Sequence, residues 1–458
     1  MGGRHTVPRH VVVVGGGLAG LRAAVSLADA GARVTLLESR NSLGGRARSF
    51  ADPATGEVVD NGQHLFIAGY RRTLAFLDRL GTGNRVIFQD RLRVSFTRSG
   101  GEISTLDCPR APAPWHLILG MFRLRGIPLR DKICLGRIWK ELKGSGTVVP
   151  GTAGFETVSA WLTRLGQGPR SRDLFWDPLT VAALNEVPDK ASAAGLKRVL
   201  RTMMAEPWPN ARLGMATVGL SDLYSEPAGR IVEGKGGAIH LNRPAAGLDL
   251  EGGRVRAVRL ADGTRIEADG VISALPPAAL LRLLPEAPQL NGLAQALRRF
   301  KSSPIVSVNL WLDRPITRDL FVALIGCRFQ WLFNKQAILR LAGIQAGYIS
   351  LIASAAYGLL DRPNEEVVRI ALEDLQACYP QLGRLSPTRS QVVREREATV
   401  SLTPETEKLR PGPKTAVGNL FLAGDWTATG LPATLESAVL SGESVAEAVF
   451  SSLTSTAG

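Results

Sequence analysis

The chain has 458 residues, 45% of them apolar and 21% charged, the balance of a globular protein large enough for about two or three hydrophobic cores. Its net charge is +14, but the 55 lysines and arginines are spread along the chain, so we expect no nucleic-acid partner. The four cysteines form no C-x-x-C pair, which excludes an obvious zinc site and a disulfide framework and favours a reducing compartment. Since no secretory signal precedes the first predicted strand, we expect a cytoplasmic protein.

The N-terminal stretch predicts a nucleotide-binding βαβ unit. Four consecutive valines, 11–14, predict a strand buried on both faces, as in a parallel sheet. The glycines that follow fit the G-x-G-x-x-G fingerprint, whose turn brings a pyrophosphate to the N-terminus of a helix. A second predicted strand ends at Glu38, whose carboxylate can accept hydrogen bonds from a ribose 2′-hydroxyl, which disfavours NADP. The predicted cofactor contacts in this unit are Gly15, Gly17, Leu18, Ala19, Gly20, Glu38 and Ser39.

A second glycine pair, Gly44-Gly45, follows this unit and is attached to Arg46. The forked guanidinium can donate two hydrogen bonds to a pyrophosphate, which a helix dipole alone cannot do. We therefore predict Gly45 and Arg46 as cofactor contacts, against the alternative of an arginine in a solvated loop. Farther along, the run Asp60-Asn61-Gly62-Gln63-His64 leads into a predicted helix over 70–80.

Residues 115–142 combine Trp, Phe and Leu with several arginines, and the sequence leaves two interpretations open. One is an interfacial amphipathic helix that lies on an anionic membrane, where each nearby basic residue adds about 1 kcal/mol. The other is a helix that covers the core of a second domain. The net charge likewise has two explanations, which are attraction to a membrane and the arginine bias of GC-rich coding DNA.

The remaining middle part alternates between helical and β patterns. Residues 155–225 predict helices, and residues 254–268 predict a hairpin. Strands are predicted over 302–312 and 346–356. The uncharged stretch 341–360 has the length of a membrane span, but its glycines, serines and alternating pattern favour a loop, a strand and a loop instead.

Residues 419–425 predict a buried strand that ends in Gly424-Asp425, and a loop joins it to a final helix over 434–450. Asp425 would hold the ribityl or pyrophosphate part of a flavin cofactor. The helix N-terminus, at Thr434 and Leu435, would direct its positive end at the N1/O2 edge of the flavin ring. An NAD enzyme has no use for a distant C-terminal element of this kind. We therefore predict FAD as the cofactor, with Gly424, Asp425, Thr434 and Leu435 among its contacts.

The glycine pair with Arg46 and the terminal Gly424-Asp425 resemble the superfamily of flavin-containing amine oxidases and carotenoid desaturases. More narrowly, the runs 60–64, 175–185 and 424–427 resemble the hydroxysqualene dehydroxylases of bacterial hopanoid pathways, along essentially the whole chain. The resemblance implies an α/β fold, in which a Rossmann-like FAD-binding domain of the amine oxidase and glutathione reductase type carries an inserted α+β substrate domain. The implied FAD-binding segments are 1–80, 226–300 and 405–458, and the implied substrate-binding segments are 81–225 and 301–404.

The resemblance also implies a reductive reaction, in which reduced FAD gives a hydride to the allylic carbon of hydroxysqualene as the hydroxyl departs and squalene forms. Hydroxide is a poor leaving group, so a positioned acid must assist it. In this superfamily the segment after D-x-G passes the flavin ring, which makes Gly62, Gln63 and His64 predicted cofactor contacts. His64 is the candidate acid, with Asp60 as its orienting partner, and the alternative for His64 is a structural histidine bonded to a backbone carbonyl. The backbone of Ala245 would contact the adenine side. The sequence does not identify the electron donor.

A long-chain isoprenoid substrate needs an apolar tunnel. The predicted lining residues are Trp161, Phe175, Trp176, Leu184, Asn185 and Trp311. Aromatic residues at such spacing also suit an ordinary core, and Asn185 suits the bracing of a helix.

Three other functions compete with this interpretation. A carotenoid or phytoene-type desaturase removes hydride with the same FAD motifs, so those motifs do not fix the direction of transfer. An amine oxidase is disfavoured, because the strand 302–312 lacks the lysine that amine oxidases place near flavin N5. A prenyl-lipid carrier of the GDP-dissociation-inhibitor type shares the fold without using flavin, and the intact Glu38, Arg46 and Asp425 argue against it.

Overall fold

The computed structural model describes residues 9–53, 56–143, 156–205, 207–340 and 347–455. Its strands, numbered in chain order, are β1 His10–Val14, β2 Arg33–Leu37, β3 Ser49–Ala51, β4 Val58–Asp60, β5 Phe66–Ile67, β6 Val86–Phe88, β7 Arg93–Arg98, β8 Ile103–Asp107, β9 Leu213–Ala216, β10 Ala238–His240, β11 Ala245–Glu251, β12 Arg254–Leu260, β13 Arg265–Glu267, β14 Gly270–Ser273, β15 Ser302–Leu312, β16 Phe321–Ile325, β17 Trp331–Asn334, β18 Gly347–Ser354, β19 Pro387–Val400 and β20 Leu420–Leu422.

The helices, numbered in the same way, are α1 Leu18–Asp29, α2 Arg71–Arg79, α3 Trp115–Arg123, α4 Leu129–Lys143, α5 Val158–Arg164, α6 Pro169–Ser171, α7 Asp177–Leu184, α8 Ala193–Ala205, α9 Glu226–Gly234, α10 Pro277–Leu283, α11 Asn291–Arg299, α12 Lys335–Ile338, α13 Asn364–Cys378 and α14 Leu435–Ser455. Two π-helical turns, Arg172–Trp176 and Ser221–Ser225, lead directly into α7 and α9.

A parallel sheet of five strands has the order β10-β2-β1-β14-β20. Its central strand β1 is buried on both faces, as the valine run predicts. Val11 and Val13 pack in a core that includes α1 and α14, whereas Val12 and Val14 pack in a second core with the antiparallel sheet β11-β12-β13. Because alternate side chains of a strand point to opposite faces, the run supplies both cores at once. The predicted Rossmann-like α/β architecture is confirmed.

The C-terminal part of the chain completes the same unit. Strand β20 lies beside β14, and α14 packs along α1. The two helices approach so closely that a Cβ atom on Gly442 would lie 2.4 Å from the carbonyl oxygen of Ala19. This contact fixes the last helix against the first turn of α1, so the two ends of the chain meet beside the glycine turn.

A second, mixed sheet of seven strands has the order β19-β15-β18-β17-β16-β7-β8. One of its faces packs against α13, where Val308 of β15 and Ile370 share a core. The strands predicted over 302–312 and 346–356 are confirmed as β15 and β18. The strands of the five-stranded sheet fall within the predicted FAD-binding segments and those of the seven-stranded sheet within the predicted substrate-binding segments, although the domain boundaries themselves stay a prediction.

The uncharged stretch 341–360 lies partly outside the described residues, since the description resumes at 347. Its described part contains strand β18, which is buried along its length, and residues 355–360 follow it as turns. Within the described ranges, no helix has the length and hydropathy that a membrane crossing requires.

The substitution Gly442→Ala should destabilise the protein, because the added methyl group would overlap the Ala19 carbonyl oxygen. We expect the free energy of unfolding to fall by about 1–3 kcal/mol, the usual range for overpacked positions. Gly136 of α4 provides the control, because an added Cβ there meets no atom within 4 Å. Chemical denaturation of both variants measures the difference, and a Gly442→Ala protein as stable as wild type would contradict the close contact of α1 with α14.

Candidate cofactor and active site

Two glycines of the turn after β1, Gly15 and Gly20, leave no room for a larger side chain. Gly15 has a φ of +109°, and a Cβ atom on it would lie 2.9 Å from the carbonyl oxygen of Ala274. A Cβ atom on Gly20 would lie 2.0 Å from the carbonyl oxygen of Gly15, so the third glycine lets α1 pack against the turn. Gly17 is the N-cap of α1 and no side chain caps it, which leaves the first N–H groups of the helix available to an anion. These features fit the pyrophosphate of a dinucleotide.

The second glycine pair packs backbone to backbone against this turn. The Gly44 N–H donates to the Gly16 carbonyl oxygen at 2.8 Å. A Cβ atom on Gly45, whose φ is +61°, would lie 3.0 Å from the Cα of Gly17. The loop that carries Arg46 is therefore held beside the predicted phosphate position, with no side chain between them.

Glu38 lies directly after β2 and its carboxylate is buried. It accepts hydrogen bonds from the Gly16 N–H at 2.8 Å, the Arg40 N–H at 2.9 Å and the Ser39 hydroxyl at 3.1 Å. The carboxylate thereby connects the end of β2 to the glycine turn. A ribose hydroxyl at this position would be one further donor to an oxygen that is already oriented.

A cavity of about 280 Å³ opens next to this carboxylate. Four of the predicted cofactor contacts line it together: Gly15, Glu38, Ser39 and Ala245. Ala245 begins β11, more than two hundred residues after the glycine turn, and the parallel pairing of β10 with β2 brings its loop to this edge of the sheet. The cavity is the natural position for the adenosine part of a dinucleotide.

Arg46 and Asp425 form an ion pair between the two ends of the chain, with Nη2 and Oδ1 2.7 Å apart. Arg46 also donates to the Ala398 carbonyl oxygen at 3.0 Å. Burial opposes its charged form, but the Asp425 carboxylate outweighs this and raises the pKa of Arg46. Asp425 follows Gly424, where a Cβ atom would lie 2.6 Å from Nε1 of Trp426, so the C-terminal turn also requires glycine. Both charged residues were predicted as cofactor contacts, whereas their direct pairing was not.

The start of the last helix is fixed by its own residues. The Thr434 hydroxyl accepts from the Ser437 N–H at 3.3 Å, and the next acidic side chain, Glu436, is turned towards α2. The Glu436 carboxylate accepts from the N–H groups of Arg72 and Thr73 at 2.9 and 2.8 Å, and so caps that helix. A contact of Thr434 and Leu435 with a flavin ring stays a prediction.

The run 60–64 lies between the Arg46 loop and the seven-stranded sheet. The Asn61 amide donates to the Arg46 carbonyl oxygen at 2.8 Å. Gly62 has a φ of +90°, and a Cβ atom on it would lie 3.7 Å from the hydroxyl oxygen of Ser307 in β15. The predicted catalytic segment is thus adjacent to Arg46, the residue predicted to bind the pyrophosphate. It lies on the side of the Arg46 loop that faces the seven-stranded sheet.

Asp60, at the end of β4, has a full set of donors. Its carboxylate accepts from the Ser49 hydroxyl at 2.7 Å, the Leu220 N–H at 3.1 Å and the Lys335 ammonium at 2.9 Å. Burial acts to raise the pKa of Asp60, but the charge and hydrogen bond of Lys335 and the other donors outweigh it and lower the pKa. Asp60 is therefore an ionised carboxylate whose charged partner is a lysine, and not the histidine that the sequence suggested.

His64 is neutral in this environment. Burial lowers the pKa of His64, and the positive charges of Arg46 and Lys335 lower it further, against the opposing effects of Asp60 and a hydrogen bond with the Gly62 backbone. Its Nδ1 atom has no hydrogen-bond partner among the described residues. A neutral imidazole with one unpartnered nitrogen can donate or accept one hydrogen bond to a bound molecule.

Lys335 is the residue of this site that sequence reasoning missed. It begins α12, where the Asn334 carboxamide caps the helix, and its side chain is buried. Its ammonium lies 2.9 Å from Asp60 Oδ2 and 2.7 Å from Gln63 Oε1. No local motif marks this lysine, because its partners are more than 270 residues away in the sequence.

The predicted lining residues do not come together on one surface. Trp161, Trp176 and Leu184 pack in one helical core, and the two indole N–H groups donate to Glu141 and Gln167. Phe175 packs at the edge of that core. Asn185 braces the chain by donating to the Ser303 carbonyl oxygen and accepting from the Ala355 N–H. Trp311 stacks on Tyr348 in a separate cluster, with ring centroids 4.6 Å apart. These contacts place the aromatic rings in a helical core and in a separate cluster, and a common substrate lining stays a prediction.

The substitution Arg46→Ala should release the flavin. Loss of charge-assisted hydrogen bonds to a pyrophosphate typically costs about 1.5–3 kcal/mol, or roughly a ten- to hundredfold weaker affinity. Arg79→Ala is the control, because this arginine pairs with Asp29 on the surface, away from the glycine turn. Absorbance of the purified proteins measures the bound flavin, and stoichiometric flavin in Arg46→Ala would contradict the assignment.

The family model "Flavin containing amine oxidoreductase" matches residues 18–450. The hydroxysqualene dehydroxylase of Sinorhizobium fredii is 33% identical over 97% of this chain and 99% of its own length. The hydroxysqualene dehydroxylase of Rhodopseudomonas palustris is 30% identical over 96% and 98%. A 15-cis-phytoene desaturase of Solanum lycopersicum is 26% identical over 97% of this chain and 78% of its own length.

Solved structures agree with the fold. A putrescine oxidase superposes with a TM-score of 0.76 at 18% identity, over 97% of this chain and 99% of its own. An oxidoreductase from Methanosarcina mazei superposes with a TM-score of 0.73 at 18% identity, over 96% and 100%. The family match confirms the predicted FAD cofactor and oxidoreductase class. The chain belongs to the flavin-containing amine oxidoreductase family, in its hydroxysqualene dehydroxylase branch.

Proposed function

We propose that this protein reduces hydroxysqualene to squalene. The observation that carries the proposal is the position of the run 60–64, by which the chain resembles hydroxysqualene dehydroxylases. That run contacts the Arg46 loop through the 2.8 Å hydrogen bond of Asn61. The relatives of that name, similar over nearly their whole length, support the same substrate.

In such a reaction, some residues of the chain would bind the cofactor and others would assist departure of the hydroxyl group. The glycine turn with Arg46 would hold the pyrophosphate, and Glu38 would hold the adenosine ribose. When bound and reduced, FAD supplies the hydride that forms the new C–H bond. The C–O bond breaks with its electron pair on oxygen, and one proton taken up from solvent completes a molecule of water. The protein must therefore provide hydrogen-bond donors for the departing oxygen, and His64 and Gln63 are the polar side chains next to Gly62 that can do so.

The decisive experiment is an anaerobic single turnover. Purified protein with photoreduced FAD is mixed with hydroxysqualene, and squalene is measured by mass spectrometry. We expect one squalene per reduced flavin together with reoxidation of the flavin. Absence of squalene, with desaturation of a polyene such as phytoene by the oxidised protein, would favour the desaturase alternative. A colourless protein that binds isoprenoids without turnover would favour the carrier.

The substitution His64→Ala should retain flavin and lower the turnover of hydroxysqualene by about a hundredfold or more, the usual range for loss of a hydrogen-bond donor to an oxygen that develops negative charge. The control is His240→Ala, because that imidazole is exposed at the end of β10. Rapid mixing of the photoreduced variants with substrate measures the rate. Unchanged turnover in His64→Ala would leave this histidine a structural role.

We also propose that α3 and α4 place the protein on an anionic membrane surface, where such a substrate resides. The inner side of α3 supports the covering-helix interpretation, because Leu117 and Met121 pack in a core with strands β7 and β8. The outer side carries a separate feature. Five of the nine large apolar side chains that are exposed among the described residues lie on these two helices: Trp115, Leu119, Phe122, Leu129 and Ile133.

The charges around this apolar face suit an anionic surface. Exposed basic residues surround it: Arg123, Arg125, Arg130, Arg137 and Lys140. Asp131 is the sole acidic residue between 115 and 140, a range that the structure describes completely, and its carboxylate is buried against Gly168 and Ser171. Exposed aromatic and aliphatic side chains inside a basic rim are typical of interfacial helices.

Exchange of Trp115, Phe122 and Ile133 for serine should weaken binding to vesicles by about tenfold or more, because each large apolar side chain contributes about 1.5–3 kcal/mol when fully buried. The matched control exchanges Ile103, Leu241 and Tyr357, which are also exposed but lie elsewhere. Co-sedimentation with vesicles that contain phosphatidylglycerol, compared with phosphatidylcholine alone, measures the binding. Equal binding to both vesicle types, or wild-type binding by the first variant, would contradict the proposal.

A further inference from the structure

Lys335 is a buried cation with two oxygen partners from one segment. Its side chain is 3% exposed, and its ammonium donates to Asp60 Oδ2 at 2.9 Å and to Gln63 Oε1 at 2.7 Å. Both partners belong to the run that lies between the two sheets. Helix α12, which directly follows strand β17 of the seven-stranded sheet, thereby holds the loop beside Arg46.

Stability alone is a weak reason for such a pair. Removing a lysine and an aspartate from water carries a desolvation penalty that their mutual attraction often fails to exceed, and apolar replacements of similar volume are frequently as stable. The pair does, however, fix two partners in one geometry. The groups that Lys335 orients are therefore Asp60 and Gln63.

The chemistry of Lys335 determines which way the Gln63 amide points. An ammonium group has only donors, so the side-chain atom of Gln63 beside it must be the carbonyl oxygen. The amide nitrogen of Gln63 then faces away from Lys335. Its nearest described acceptor is the His64 carbonyl oxygen at 3.4 Å, which is a weak hydrogen bond. Gln63 therefore presents N–H groups with unused donor capacity next to Gly62 and the neutral imidazole of His64.

We propose that the Gln63 amide N–H binds the hydroxyl oxygen of the substrate as its C–O bond breaks, and that Lys335 is the positioning residue that orients this amide. This inference rests on the proposed function. Gln63 donates a hydrogen bond and transfers no proton. The hydride, the proton and the water of the reaction therefore balance as stated under the proposed function. The amide donor stabilises the negative charge that develops on the departing oxygen.

Two variants separate the donor from its support. Gln63→Glu keeps an oxygen acceptor for Lys335 and removes the N–H donor. Lys335→Met keeps the donor and removes its orientation. The control for loss of an ion pair is Arg328→Met, which deprives the buried Asp374 of its partner on the α13 side of the seven-stranded sheet.

Binding of substrate and product to the oxidised holoenzyme gives a readout other than turnover. Squalene lacks the hydroxyl group, so the ratio of the two dissociation constants, titrated through flavin absorbance in one detergent, reports the hydrogen bond. We expect wild type to prefer hydroxysqualene by about three- to tenfold, the value of one net hydrogen bond. The ratio should fall to about one in Gln63→Glu and Lys335→Met, and turnover should fall by about a hundred- to thousandfold with flavin retained. Arg328→Met should keep both at wild-type values.

The outcomes distinguish this inference from the proposed function. If wild type converts and prefers hydroxysqualene, and Gln63→Glu matches it in both respects, the inference is overturned while the function stands. If wild type neither binds nor converts hydroxysqualene, both are overturned. Should Lys335→Met fail to fold, Gln63→Glu alone still decides whether the amide donor acts.

Discussion

Arg46 and Asp425 lie 379 positions apart in the chain, and a 2.7 Å ion pair joins them. Most features of the site depend on this meeting of the two ends. The glycine turn supports the Arg46 loop from one side through backbone contacts between the two glycine pairs. The last strand and helix support Asp425 from the other, because β20 extends the sheet of β1 and α14 packs on α1 without a side chain at Gly442. From that packing we propose a single FAD site built from both ends of the chain.

The same packing explains how residues from the middle of the chain reach the proposed active site. The run 60–64 is hydrogen-bonded on one side to the Arg46 loop and on the other side to Lys335 of α12. One ion pair therefore lies on each side of the segment that the proposed function needs: the partly exposed pair of Arg46 with Asp425 and the buried pair of Lys335 with Asp60. Their positive members, together with burial, lower the pKa of His64 and leave it neutral. Such an arrangement suits hydrogen bonding to a leaving oxygen more than storage of a proton on His64.

Local sequence patterns predicted much of this site, whereas contacts between residues that are far apart in the chain could not be predicted. The valine run, the glycine spacing and Glu38 are short-range signals, and each occupies the predicted position beside one cavity. Lys335 could not be predicted in this way, since only the pairing of β15, β18 and β17 brings it to Asp60. The substrate lining stays a prediction for a different reason. Trp161 and Trp176 have amphipathic helical spacing, and a helical core and a tunnel wall produce the same pattern until tertiary packing separates them. In residues 115–142 the two interpretations apply to different sides of one helix. The inner side of α3 packs on a core as a covering helix does, and its outer side carries the exposed apolar residues on which the membrane proposal rests.

The most direct test of the central claim is a crystal structure of the protein with FAD bound. We predict the pyrophosphate between the Gly15–Gly20 turn and Arg46, with the isoalloxazine ring beside Gly62 and the loop after Asp425. A pyrophosphate that contacted only one end of the chain, or a ring distant from residues 60–64, would contradict the account.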